Sequence, residues 1–139
     1  MKTFLFIVAC LLTISFKCSA KTVRVGHHQT YHSIHEALAA VENGDSIWVD
    51  GGVYREKNIV INKSITLIGR DYPVLDGEHS YQIVSIRADY VTIRGFRLIN
   101  SGVSSLDDIA AIKIYERRNE TVADNIFENT FFGIYSQSG

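Results

Sequence analysis

From residue 46 onward the chain never sustains a helical pattern. It runs as short β-branched stretches, each cut off by Gly, Asp or Asn: residues 46–49 (SIWV), 58–61 (NIVI), 64–69 (SITLIG), 73–77 (PVLDG), 81–86 (YQIVSI), 90–95 (YVTIRG), 96–100 (FRLIN), 110–115 (AAIKIY), 121–127 (TVADNIF) and 132–136 (FGIYS). A strand this short cannot bury its apolar face alone. It must stack on a similar neighbour, and successive stacking buries a continuous interior of Ile, Val, Leu and Phe. A doubly wound α/β fold would place a crossover helix between most strands. A sandwich would show tight hairpin turns and clean alternation. Neither pattern is present, so these runs are expected to be the coils of a parallel β-helix.

An overlay gives the period. SITLIG at 64–69, YVTIRG at 90–95 and ETVADN at 120–125 fall in one column. Gly69 to Gly95 is 26 residues, and Gly95 to Asn125 is 30, lengthened by a polar insertion at 101–108. Gly and Asn share that column as residues that tolerate a left-handed corner. Asn100, Asn125 and Asn129 are expected to stack their amides between coils, as side-chain ladders do in stacked strands. Pro73 is the single proline, so the strands are nearly free of breakers.

One helix precedes the coils. A first strand at 21–26 (KTVRVG) and a polar loop at 27–31 lead to Ser33. Ser33 and Glu36 form a capping box, in which the hydroxyl accepts an amide proton three residues on and the Glu reaches back. Ile34, Ala37, Leu38 and Val41 then follow at helical spacing, and Gly44 is the expected C-cap. A helix of about three turns is marginal alone. Its apolar face must cover something, and the open end of the β-helix is the natural candidate.

Residues 1–20 read as a secretory signal: Lys2, then the apolar run at 3–16, then Cys18-Ser19-Ala20 with small residues for cleavage after Ala20. The run is too short for a membrane span, which takes roughly 20 apolar residues. Ile7-Val8-Ala9-Cys10 resembles a lipobox but leaves no room for an apolar core before Cys10. Cys10 and Cys18 are the two cysteines, so the mature chain has no disulfide or thiolate ligand. Removing Lys2 and Lys17 leaves 12 basic against 15 acidic residues, with no basic tract, so nucleic acid is not an expected partner. The expected organisation is a signal at 1–20, strand, loop and capping helix at 21–45, and coils at 46–139. The strand at 132–136 is followed by no capping element, which reads as a β-helix truncated at its C-terminus.

A resemblance adds to this. Ser33-Ile34-x-x-Ala37, Gly44-Asp45-Ser46-Ile47-x-Val49, Gly52-x-Tyr54-x-Glu56, the run Lys63 to Gly69 and Val74-Leu75-Asp76-Gly77 resemble the start of NosD-type proteins. Val91-Thr92-Ile93-x-Gly95-Phe96, Asn100-Ser101-Gly102, Ala111-Ile112 and Asn125-x-Phe127-x-Asn129 continue the match. His35 stands where Gln is common. The resemblance implies an all-β, right-handed, single-stranded parallel β-helix of the pectin lyase-like superfamily. It also implies export to the periplasm and a non-catalytic accessory role in copper-site maturation of nitrous oxide reductase, with an ABC transporter as partner. Pectin esterases and lyases share the same opening, so a carbohydrate-binding or carbohydrate-cleaving protein acting on a polysaccharide is the alternative.

Three sets of residues could carry chemistry. His27, His28, His32 and His35 lie within nine residues, and imidazole suits copper or zinc. The same four also read as an unliganded polar loop before a helix cap, and the helix dipole opposes a cation there. Asp76, Asp107, Asp108, Asp124 and Glu128 could include a carboxylate pair for sugar chemistry. Asp76 also reads as a turn residue, and Asp107-Asp108 as a solvated loop tip. Trp48, Tyr54, Tyr72, Tyr81, Tyr90 and Tyr115 are available for stacking on sugar rings or for packing at coil corners.

Overall fold

The computed structural model describes residues 19–138, so the signal expected at 1–20, with Cys10 and Cys18, lies almost entirely outside the described residues. Thirteen strands and one helix follow in order: β1 (Thr22–Val25), α1 (Ile34–Ala40), β2 (Ser46–Val49), β3 (Val53–Tyr54), β4 (Ile59–Ile61), β5 (Thr66–Gly69), β6 (Val74–Asp76), β7 (Val84–Ile86), β8 (Thr92–Arg94), β9 (Arg97–Ile99), β10 (Ala110–Tyr115), β11 (Thr121–Ala123), β12 (Ile126–Glu128) and β13 (Phe132–Gln137). They form three parallel sheets. The first holds β1-β2-β5-β8-β11, the second β12-β9-β6-β3 and the third β13-β10-β7-β4. β1 and α1 precede the first full coil; from β2 onward each coil contributes one strand to each sheet, which is the parallel β-helix the short runs require.

The inward columns explain the pattern. Ile47, Leu67 and Ile93 stack in the first sheet and continue to Val122. Leu75 and Leu98 stack in the second and continue to Phe127. Ile61, Ile86 and Ile114 stack in the third. Most of these side chains are sealed from solvent, with Phe96 the largest fully buried one. Burying a side chain of this size contributes about 1.5–3 kcal/mol, which is how strands of three or four residues hold together.

The observed register corrects the overlay at one place. Thr66 pairs Thr92, and Thr92 pairs Thr121, so the second repeat in this sheet is 29 residues, not 30. Asp124, at φ 53°, therefore occupies the left-handed corner beside Gly95, at φ 80°. Residues 121–127 form two strands rather than one, broken at Asp124 and Asn125. Asn125 is absent from the amide ladder. Its Nδ2 donates to the Ile93 carbonyl and its Oδ1 accepts from the Phe96 amide. The ladder itself runs Asn129 to Asn100 to Asp76, at 2.9 and 3.1 Å. Gly69 is needed for space: a methyl group there would collide with the Gly95 carbonyl.

The helix also ends differently. Ser33 is the N-cap and the capping box with Glu36 is present, but α1 stops at Val41, which is extended at φ −93°, ψ 162°. Gly44 sits three residues later in the following turn. The seven residues make about two turns, with Ile34, Ala37 and the C-cap residue Val41 buried against the first coil.

Candidate functional site

The N-terminal cap gathers several of the residues that carry the family resemblance, drawn from separate motifs. Glu56, from the turn after β3, reaches the start of α1: its carboxylate accepts the Ile34 and His35 amides, both at 2.9 Å. Lys63, before β5, reaches the other end: its Nζ donates to the Leu38 and Val41 carbonyls at 2.9 and 2.6 Å. An acid at the helix start and an ammonium at its end complement the orphan backbone groups and the dipole. Asp45 is 4% exposed and accepts the Lys21 and Glu42 amides at 2.9 and 2.8 Å. Those two backbone hydrogen bonds hold its carboxyl below the usual range, against the opposing effect of burial. Tyr54 donates to the Asp50 carbonyl, and its hydroxyl pKa is raised by burial and by the Asp50 and Glu56 charges.

The four candidate imidazoles do not converge. His27 and His28 meet edge to face at 4.6 Å between ring centroids. His32 Nδ1 lies 3.3 Å from the Gly26 carbonyl. His35 is turned the other way, with Nδ1 2.5 Å from Glu56. His27 and His32 do share the wall of an open groove with Gly51, Gly52, Val53 and Tyr54. Among the described residues no three His, Cys, Asp or Glu side chains are placed to hold one metal ion.

The carboxylates are likewise dispersed. Asp124 pairs with Arg94 at 2.9 Å and Glu128 with Arg97. The Asp108 carboxylate beside Tyr135 raises the pKa of its hydroxyl. Asp76 takes the Glu78 amide and Asn100, with Arg55 at 3.6 Å. Burial pushes the Asp76 pKa up, and these hydrogen bonds together with the Arg55 and His79 charges bring it below the usual range. Asp107 lies in the exposed insertion.

The aromatics divide into two groups. Tyr72 and Tyr90 stand at coil corners, 49% and 68% exposed. Trp48, Tyr81 and Tyr115 each carry cations: Arg24 and Arg70 over Trp48, Lys57 over Tyr81, Arg87 and Lys113 over Tyr115. Sequence reasoning missed these clusters and both helix-capping residues, Glu56 and Lys63. The signal for Trp48 was a register of one coil, which sets Arg24, Trp48, Ile68 and Arg94 side by side on the first sheet. Comparison with protein families, curated proteins and solved structures returns no match for this chain.

Proposed function

We propose that this protein is an exported, non-catalytic accessory protein of the NosD type. In this reading it assists copper-site maturation of nitrous oxide reductase beside an ABC transporter, using its β-helix as a scaffold for protein contacts. The observation that carries the reading is the cap. Asp45, Glu56 and Lys63, drawn from three separate motifs of the resemblance, hold one short helix over the first coil. Motifs scattered over some thirty positions then have one shared reason to occur together. In this reading direct copper handling would fall to His27, His28, His32 and His35, which this structure does not gather around one point.

The test is reconstitution. Nitrous oxide reductase is matured in cells with the transporter, with and without this protein, and copper per reductase is measured. A lower copper content without the protein is expected; equal content overturns the accessory role. A Cu(I) titration against a competing chelator, with His27, His28, His32 and His35 changed to Ala, separates direct metal handling from docking. A second reading, carbohydrate binding, is favoured by the exposed rings of Tyr72 and Tyr90, which offer apolar faces to a sugar.

A further inference from the structure

The outer face of the first sheet sets two arginines over a single indole. Two outward rows run along it, one coil per step. One row is hydroxyl-bearing: Thr22, Ser46, Thr66, Thr92 and Thr121. The other is Arg24, Trp48, Ile68 and Arg94, with Arg70 beside it. The guanidinium carbons of Arg24 and Arg70 stand over the Trp48 ring at 5.4 and 5.3 Å. Trp48, Ile68 and Arg70 line a shallow cavity of about 230 Å³.

Three arginines of the coils are matched: Arg55 faces Asp76, Arg94 pairs Asp124, and Arg97 pairs Glu128. Arg87 lies over Tyr115 and, like Arg117 and Arg118, has no ion pair among the described residues. Arg24 and Arg70 are exposed, and neither has an ion-pair partner among the described residues. Each lies within cation–π distance of an indole instead of beside a carboxylate. Such a contact leaves the guanidinium N–H fork free, and that fork matches a carboxylate bidentately. The protein as a whole has a net charge of −1, so this is a local positive site on a chain that is not basic.

We propose that this face docks an acidic segment of a protein partner, rich in Glu. Each Glu carboxylate meets Arg24 or Arg70, and its aliphatic stem lies over Ile68 and the edge of Trp48. Arg and Trp together are the residue types that dominate interface energetics. A sugar is the less suitable occupant, because the guanidinium groups already take the indole surface on which a ring would stack. The inference does not rest on the copper role, since it follows from this face alone.

Trp48 is the single tryptophan, so its fluorescence reports on the site directly. The protein is titrated with short synthetic poly-glutamate, with oligogalacturonate and with poly-lysine as comparisons. Expected are a change in Trp48 emission with poly-glutamate alone and weakening of that binding as salt rises. A rise in Kd of about tenfold or more is expected in the R24Q/R70Q double variant. Both arginines are exposed, and the far-UV circular dichroism of the variant checks its fold. R24K/R70K, which keeps the charge but loses the fork, is expected between the two. Absence of poly-glutamate binding by emission and by calorimetry, or equal affinity in R24Q/R70Q, overturns the proposal. So does tighter binding of oligogalacturonate, which would assign the face to an acidic polysaccharide.

Discussion

Gly95→Ala offers the sharpest test of how the coils are held. Gly95 has φ 80°, and a Cβ built there would stand 2.5 Å from the Gly69 carbonyl oxygen of the preceding coil. Two costs follow. Holding an L-residue in the left-handed region costs about 1–2 kcal/mol. Forcing a methyl group against a fixed backbone atom adds roughly 1–3 kcal/mol, as overpacking does in cores. The carbonyl cannot move aside without disturbing the ladder between β5 and β8. The expected loss is therefore about 2–5 kcal/mol, a large share of the 5–15 kcal/mol typical of a whole domain. At about 4 °C per kcal/mol this lowers Tm by roughly 8–20 °C. The assay is urea and thermal unfolding of the protein from Lys21 onward, followed by far-UV circular dichroism. Gly51→Ala is the matched control, since its Cβ would meet nothing closer than 3.5 Å and its backbone needs no left-handed angle. If Gly95→Ala stays within about 0.5 kcal/mol of the parent, the range for a neutral surface change, the account of coil contact is wrong. An equal loss in Gly51→Ala would sink it as well.

Lys63→Met keeps the aliphatic stem but removes the ammonium from the Leu38 and Val41 carbonyls, and a loss of about 1.5–3 kcal/mol is expected in the same unfolding assay; an unchanged midpoint would show that water serves those carbonyls equally well. Stability should fall in acid. Asp45 and Asp76 both have lowered pKa values in the folded chain, so their contribution is present above the ordinary carboxylate range and is lost as pH falls through the folded values. Unfolding midpoints measured from neutral pH downward should decline below that range, and less steeply in Asp45→Asn; a decline that begins well above it, or the same slope in the variant, contradicts this assignment.

Much of the fold is local chemistry and can be read along the chain. The capping box of Ser33 and Glu36 spans three residues, and the order of apolar and polar positions within each short strand sets which side faces inward. Strands too short to stand alone, with no crossover helices between them, leave stacked coils as the way to bury Ile, Val and Leu. The remainder depends on what lies one coil away. Whether Asp124 or Asn125 takes the corner beside Gly95 is a shift of one residue, and such a shift exchanges the inner and outer faces. Composition cannot decide it, because Asp and Asn both tolerate the left-handed region; the burial of Val122 below Ile93 does. The helix stops at Val41 rather than at Gly44, and Lys63, from the next coil, takes its last carbonyls. The histidines were close in sequence, yet His35 turns to Glu56, which is 21 residues away. Arg24 and Arg70 are separated by two coils of chain and meet only over Trp48. Sequence by itself determined the repeating unit and its polarity. The tertiary structure decided the register and the placement of charge, because both are set by contacts between coils whose separation along the chain varies from one turn to the next.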